Sequence, residues 1–201
     1  MAWGLTAGAQ LADIKLVFCS YPITPASSLL HSLAHLKNFD VVTFQAEDEI
    51  AAVGAAVGAS YAGTLGVTSS SGPGVALKGE MIGLAVMTEL PLIIVNSQRA
   101  GPSTGMPTKT EQSDLYQAIY GRNGDSPLIV LAARSPADCF EVGIEAVRLS
   151  TKYMTPVIVL SDTYIVNAAE PWLIPDTSTF DTFPIEFLEE PTDFHPYKRD
   201  D

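Results

Sequence analysis

The order of secondary-structure elements is set by residues 41–96, VVTFQAEDEIAAVGAAVGASYAGTLGVTSSSGPGVALKGEMIGLAVMTELPLIIVN. This stretch contains three short apolar runs rich in β-branched residues, at residues 41–45, 66–69 and 90–96. Most such runs in the chain are apolar on both faces, which is typical of parallel strands covered by helices on both sides. Residues 47–62 and 74–89 lie between the runs and have helical composition. This alternation predicts a parallel α/β sheet.

The same alternation continues on both sides of this stretch. Further strands are predicted at residues 15–20, 128–132 and 157–161. Further helices are predicted at residues 3–11, 27–36, 111–121 and 135–151. The pattern predicts an α/β fold with a doubly wound, mainly parallel sheet and helices on both faces. Functional loops are then expected at the carboxyl ends of the strands.

We expect one domain over residues 1–168, because a chain of 201 residues is long enough for a substantial core. The periodic pattern stops after about Ala168, and residues 170–201 carry five of the fourteen prolines. Residues 169–201 are therefore predicted to form an acidic, proline-rich arm or a linker to a missing domain. The helix-like start, with no strand or cap before it, favours a fragment cut at both ends.

Charge and cysteine content exclude several classes of protein. The net charge is −12, and residues 162–201, with ten acidic and two basic residues, account for −8 of it. The sequence has no basic stripe for nucleic acid or anionic membranes, and no apolar run of the ~18 residues that span a bilayer. The two cysteines, Cys19 and Cys139, and three histidines are too few for a metal or iron–sulfur site, and free thiols suit the cytoplasm.

The motif YPITPAS, residues 21–27, directly follows a predicted strand. Its two prolines fix the backbone, and Thr24 would present a hydroxyl group where α/β sheets bind ligands. The same residues are equally consistent with a rigid strand-to-helix turn that ends in a serine cap.

The helix predicted at residues 47–62 opens with three acidic residues, which small and apolar residues follow. Acidic residues stabilise a helix N-terminus, which is the simplest explanation for them. Stabilisation of the helix N-terminus does not explain the alanines and glycines that follow, which allow a backbone or a flat ligand to come close. A carboxylate facing such an apolar surface should have a raised pKa and can share a proton with a ring nitrogen. We also expect this helix to lie in a tight interface.

Two further motifs follow predicted strands. TSSSGPG, residues 68–74, exposes amide groups at a helix N-terminus, which suits a polar or anionic ligand, although a generic glycine turn has the same sequence. Arg99 begins a polar, glycine-rich loop after an apolar strand. Its guanidinium group can bind a carboxylate with two hydrogen bonds, or it can form a structural ion pair.

Together these motifs resemble the pyrimidine-binding domain of the 2-oxoacid:ferredoxin oxidoreductases, specifically the alpha subunit of the 2-oxoglutarate type. The resemblance runs from about residue 1 to residue 164. YPITPAS is a hallmark of the family, and Glu49 followed nine residues later by Gly58 matches the wider thiamine-diphosphate pattern. TSSSGPG matches the next strand and turn of that superfamily. The most specific piece is QRAGPSTGMPTKTEQ, residues 98–112.

The resemblance implies roles for the matched residues. Glu49 would bond to N1′ of the aminopyrimidine of thiamine diphosphate and favour the imino tautomer that removes the thiazolium C2 proton. Thr24 and Arg99 would face the carboxylate and keto group of the substrate, with Thr108 as a weaker candidate. Lys109, by its charge, would meet a distal carboxylate. The cofactor would also be contacted by Tyr21, Pro22, Ile23, Ser69, Ser70 and Gly72.

The resemblance also implies partners. The family's diphosphate and Mg²⁺ site lies on another domain, usually the beta subunit, so thiamine diphosphate would be shared with that subunit. Iron–sulfur clusters are likewise expected on partner subunits, which ferredoxin would contact. A second alpha chain, a 2-oxoacid and coenzyme A complete the expected partners, and the isolated chain is expected to be inactive.

The implied activity is oxidative decarboxylation of a 2-oxoacid, with 2-oxoglutarate favoured, to an acyl-coenzyme A while ferredoxin accepts the electrons. One alternative is a non-oxidative thiamine-diphosphate enzyme, which shares Glu49 but has less reason to carry the Arg99 loop. Another is an aryl-pyruvate oxidoreductase, which differs in substrate preference. The third is a non-catalytic α/β assembly module, against which an intact Glu49 argues.

Overall fold

The structure is a computed structural model that describes residues 1–187, Thr192, Phe194, His195 and Lys198. The arm predicted at residues 169–201 therefore lies partly outside the described residues. Within the described part, no helix has the length and apolar character needed to cross a bilayer.

The centre of the described structure is a parallel sheet. Its strands are β1 (Leu16–Ser20), β2 (Val41–Gln45), β3 (Leu65–Ser70), β4 (Leu92–Gln98), β5 (Ile129–Ala132) and β6 (Pro156–Asp162). The strand order is β2-β1-β3-β4-β6-β5, and each neighbouring pair is parallel. Each strand overlaps one of the apolar runs singled out in the sequence, and the prediction of a doubly wound parallel sheet is confirmed.

Helices cover both faces of the sheet. They are α1 (Ala2–Leu11), α2 (Ser27–Ala34), α3 (Glu49–Tyr61), α4 (Gly72–Leu77), α5 (Gly79–Met87), α6 (Leu115–Tyr120), α7 (Asp138–Tyr153) and α8 (Thr163–Asn167). On one face α1, α2 and α7 pack in a core that includes Leu33 and Val147. On the other face α3 and α5 pack in a core that includes Val53 and Ile82. Burying each such side chain contributes roughly 1.5–3 kcal/mol.

The chain reverses its course across the sheet next to β1. Strand β2 pairs with one edge of β1, and β3 pairs with the other edge. In open α/β sheets, ligands bind outside the carboxyl ends of the strands at such a switch point. Residues 21–27 follow β1 and residues 71–74 follow β3, so two of the predicted motifs lie at this crevice.

One predicted helix is divided in two. Residues 74–89 are predicted as a single helix, whereas the structure has α4 and α5, which meet at Lys78. The Lys78 amide donates to the carbonyl groups of Gly74 (3.2 Å) and Val75 (3.1 Å), and the Ile82 amide donates to the Lys78 carbonyl (3.0 Å). At this junction the Lys78 side chain is fully buried.

The helix predicted at residues 111–121 begins only at Leu115. The residues before it use their polar groups for contacts with the sheet. The Asp114 amide donates to Oε1 of Gln98 (3.0 Å), and Nε2 of Gln112 donates to a carboxylate at the end of β6 (2.5 Å). These bonds hold the segment in a non-helical form next to the carboxyl ends of β4 and β6.

The described part of the arm lies along the domain. The amide groups of Phe183 and Ile185 donate to carbonyl groups at and just after the end of α1, at 2.9 and 3.1 Å. The Trp172 ring lies 5.2 Å from the Phe140 ring of α7. An apolar cavity of about 430 Å³ separates this arm from α1 and lies away from the switch point. A linker role for residues 169–201 stays a prediction.

Candidate functional site

The site is built around a hydrogen bond between the loop after β1 and the end of β3. Oη of Tyr21 and Oγ of Ser70 are 2.8 Å apart, and both side chains are buried. A Cβ atom at Gly74 would come within 2.1 Å of Oγ of Ser70 and 2.5 Å of Oη of Tyr21. A glycine is therefore required there for α4 to pack against this pair.

The three acidic residues before and at the start of α3 have different environments. Glu47 is exposed. Asp48 caps the helix, because its Oδ1 accepts a 2.8 Å hydrogen bond from the Ala51 amide. Glu49 is the first helical residue and is only partly exposed, and its carboxylate has no hydrogen bond or ion pair with any described residue. Of the three carboxylates, that of Glu49 combines partial burial with free acceptor atoms.

A buried lysine that the sequence analysis missed lies next to Glu49. Nζ of Lys78 donates to the backbone carbonyl of Glu49 and to Oγ1 of Thr68, both at 3.0 Å. It also lies 5.4 Å from the centre of the Tyr21 ring. Burial lowers the pKa of Lys78 to about 7, although the nearby acidic groups of Glu49, Cys19 and Asp48 act in the opposite direction. The available signal was a single basic residue in a mostly apolar segment, residues 74–89, whose other charged residues are Glu80 and Glu89.

The tyrosine and cysteine at this edge remain protonated at neutral pH. Burial raises the pKa of Tyr21 to about 12, and the carboxylates of Glu49 and Asp48 add to the rise. Burial likewise raises the pKa of Cys19 to about 11. The Tyr21 hydroxyl group is therefore a fixed donor or acceptor rather than an anion, and the Cys19 thiol is not a nucleophile at pH 7.

Arg99 joins the end of β4 to the loop after β1. It is only 7% exposed, and its Nη1 donates to the backbone carbonyl of Thr24. Its Nε is buried without a hydrogen-bond partner, and Arg99 forms no ion pair with the described residues. The structural ion pair considered as an alternative is therefore not present among them. The Thr24 side chain is exposed at the same place.

The remaining predicted cofactor contacts have different environments. Oγ of Ser69 is 3.0 Å from Oγ of Ser20, so its hydroxyl group is already engaged inside the sheet. Ile23 packs against Tyr21, and Gly72 faces a carboxylate of the segment before α6. Pro22 is exposed.

Thr108 and Lys109 lie on the exposed loop that follows Arg99. The loop folds back, since the Ala100 amide donates to the Lys109 carbonyl (2.9 Å) and the Gly101 amide to Oε2 of Glu111 (2.8 Å). The two side chains are therefore near the end of β4, yet the structure shows no contact between them and the buried cluster.

A cavity of about 670 Å³ opens beside Arg99. It is lined by Gly72, Pro73, Ala76, Leu77, Arg99, Gly101, Pro102, Ser103, Glu111, Ser113, Asp114 and Gln117. At this edge three buried polar atoms have no partner in the described structure: Oγ of Ser71, Oδ1 of Asn96 and Nε of Arg99. Buried polar groups are rarely left unpaired, so the arrangement fits a polar ligand that supplies the missing hydrogen bonds.

The same arrangement fits a protonated or neutral heteroaromatic ring. Glu49 offers a carboxylate with free acceptor atoms, next to the small-residue surface of α3 and the Tyr21 ring. Within the described ranges there is no cluster of three or more His, Cys, Asp and Glu side chains that could hold a metal ion.

Comparison with known families gives one match across most of the chain. The family described as "Pyruvate flavodoxin/ferredoxin oxidoreductase, thiamine diP-bdg" matches residues 8–199.

Similar proteins point in the same direction. The 2-oxoglutarate oxidoreductase subunit KorA of Mycobacterium tuberculosis is 59% identical over 200 residues, which cover 100% of this chain and 31% of that protein. The 2-oxoglutarate synthase subunit KorA of Archaeoglobus fulgidus is 44% identical over 83% of this chain and 48% of its own length. This chain therefore spans between about a third and a half of these relatives.

A solved structure also superimposes on the chain. It is a 2-oxoglutarate:ferredoxin oxidoreductase from Magnetococcus marinus with 2-oxoglutarate, coenzyme A and succinyl-CoA bound, and it aligns with a TM-score of 0.82 at 41% identity. The alignment covers 94% of this chain and 33% of that one.

Proposed function

Because the chain belongs to the thiamine-diphosphate-binding family of the pyruvate flavodoxin/ferredoxin oxidoreductases, we propose that it is the pyrimidine-binding part of a 2-oxoglutarate:ferredoxin oxidoreductase alpha subunit. The observation that supports this most directly is the free, partly buried carboxylate of Glu49 at the switch point of the sheet. The reaction converts a 2-oxoacid, coenzyme A and two oxidised ferredoxins into an acyl-coenzyme A, carbon dioxide, a proton and two reduced ferredoxins.

Thiamine diphosphate, when bound, supplies the electron sink for decarboxylation. The task of this chain is to hold the aminopyrimidine ring and control its protons. Glu49 shares a proton with N1′ of that ring, because its carboxylate has no other partner. Tyr21, Pro22, Ile23, Ser69, Ser70 and Gly72 shape the surrounding surface. The hydroxyl groups of Ser69 and Ser70 already bond to neighbouring hydroxyl groups. These two serines therefore stabilise the pocket around the ring and do not bind the ring directly.

Substrate recognition falls to Arg99 and Thr24. The buried guanidinium group of Arg99 carries an Nε–H without a partner, and its planar array of donors matches the geometry of a carboxylate. It is therefore suited to bind the carboxylate next to the keto group, while the exposed Thr24 hydroxyl group reaches the keto oxygen. Thr108 is a further contact for the same end of the substrate.

The other half of the site lies on partner subunits in this proposal. The beta subunit carries the diphosphate and Mg²⁺ site and the iron–sulfur clusters, and ferredoxin meets that subunit. The outer surface of α3 and α5 is the docking face, because it exposes large apolar side chains: Ile50 is 49%, Tyr61 80% and Leu84 40% exposed. An apolar patch of this kind marks a protein interface more often than a free surface.

The test uses the native-length subunit coexpressed with its beta partner. Coenzyme A-dependent reduction of a viologen dye is followed with 2-oxoglutarate and with pyruvate. We expect turnover, with a higher kcat/KM for 2-oxoglutarate. A complex that holds cofactor and clusters but turns over no 2-oxoacid contradicts the proposed reaction.

Lys109 tests the substrate preference. Replacing it with methionine should raise the KM for 2-oxoglutarate about tenfold and leave the KM for pyruvate within about twofold, since only the longer substrate has a distal carboxylate. Lys37→Met is the matched control, because Lys37 is exposed and lies before the amino end of β2, whereas Lys109 follows the carboxyl end of β4. Equal effects of Lys109→Met on both substrates would remove this role.

A further inference from the structure

Lys78 is a titratable group that the proposed chemistry does not use, and its position is costly. The side chain is 0% exposed and forms no ion pair with the described residues; its ammonium group has only two neutral oxygen acceptors. Burying a lysine without a paired carboxylate destabilises a fold, and apolar residues of similar shape are usually tolerated better. A buried lysine at the switch point therefore calls for a functional explanation.

The contacts of Lys78 converge on the first turn of α3. Nζ donates to the carbonyl of Glu49 itself, and Oγ1 of Thr68 on β3 fixes the amine from the other side. The Tyr21 ring lies 5.4 Å away. The lysine thus ties the residue that carries the proposed catalytic carboxylate to the centre of the sheet.

We propose that Lys78 is a positioning residue, which holds the backbone of Glu49, and with it the first turn of α3, in place. This inference rests on the proposed function of Glu49. The titratable groups that face Lys78 are Glu49 and Asp48 at the start of α3, Cys19 of β1 and Tyr21 after it. Tyr21 and Cys19 stay neutral at pH 7.

The dependence of stability on pH gives a readout that needs no cofactor. The pKa of Lys78 in the folded protein, about 7, is below the ordinary lysine value of 10.5. A lowered lysine pKa means that the folded state binds the proton less well, so stability falls as the pH drops from about 10 to 7 and stays low below that. Lys78→Met removes the buried charge, and its stability should change little across this window.

The decisive experiment compares Lys78→Met with wild type in the native-length complex. At pH 7, without added cofactor, the variant should melt about 5 °C higher. Its peptides covering residues 46–55 should nevertheless exchange amide hydrogens at least about threefold faster, because the first turn of α3 has lost an anchor. With cofactor bound, kcat/KM for 2-oxoglutarate should fall about tenfold, because the Glu49 side chain is no longer held in position.

Lys37→Met is the control and should change none of these quantities. Melting at or below the wild-type temperature, with unchanged exchange at residues 46–55, would mean that Lys78 is a purely structural residue. If Glu49→Gln abolishes turnover while Lys78→Met leaves amide exchange and kcat/KM unchanged, the positioning role is wrong and the proposed function stands. Normal turnover of Glu49→Gln removes both proposals together.

Thr68→Val covers the case in which Lys78→Met fails to assemble. This change removes one of the two acceptors of Nζ and leaves the amine in place. Faster amide exchange at the start of α3 and a smaller fall in kcat/KM support the positioning role. No change in either quantity overturns it.

Discussion

Replacing Glu49 with glutamine is expected to lower kcat for 2-oxoglutarate at least about 100-fold in the native-length complex, since proton transfer by a positioned carboxylate contributes 10²–10⁴-fold. Glutamine keeps the size and the hydrogen-bonding length of the side chain but cannot accept the proton that the carboxylate shares with N1′. The assay is coenzyme A-dependent dye reduction. Because the Glu49 carboxylate has no hydrogen bond or ion pair among the described residues, the melting temperature should stay within a few degrees of wild type.

Glu47→Gln is the matched control. Glu47 is two residues away, carries the same charge and is exposed, so its replacement should change kcat less than twofold. Equal losses in the two variants would mean that the general negative charge at the start of α3 matters, rather than one positioned carboxylate. Full activity of Glu49→Gln would leave the chain without the proposed catalytic group and favour a non-catalytic assembly role.

The fold was predictable because each strand and helix is specified by a short, continuous stretch of sequence. Runs such as residues 92–95, apolar on both faces, have few alternatives to a buried parallel strand, and they locate β4 and its neighbours. The carboxyl ends of the predicted strands then identify the edge of the sheet where ligands bind, without any knowledge of tertiary contacts. Glu49, Tyr21 and Arg99 were singled out as candidates at this edge, and each lies at or just after a strand or at the start of the next helix; their roles stay predictions.

The contacts that depend on long-range packing were not predictable from pattern. Lys78 lies in a segment whose composition favours one continuous helix, and only the structure reveals that α4 ends there and its side chain meets Glu49, 29 residues earlier. Likewise, Asp114 and Gln112 favour a helix by sequence but bond to the ends of β4 and β6 instead. In each case a tertiary hydrogen bond outweighs a local propensity of a few tenths of a kcal/mol.

The second large effect is expected at Arg99. Arg99→Lys should lower kcat/KM for 2-oxoglutarate on the order of 100-fold, mainly through KM, because two charge-assisted hydrogen bonds to the substrate carboxylate are lost. A lysine keeps the positive charge but cannot hold the Thr24 carbonyl and a carboxylate in one planar fork. Steady-state kinetics at saturating coenzyme A measure the change, with melting temperature as the check on folding.

Two comparisons decide whether the fall in kcat/KM of Arg99→Lys reflects the planar guanidinium group or the packing around it. Arg134→Lys is the control, since Arg134 is exposed and forms only a surface ion pair with Asp138, so its kcat/KM should change less than twofold. Arg99→Met should lose a further factor of about ten, because it removes the charge as well as the fork. If Arg99→Lys instead retains the wild-type KM, the guanidinium group does not bind the substrate. Its bond to Thr24 then serves only to close the loop after β1 over the sheet, and the substrate carboxylate must be bound by a partner subunit.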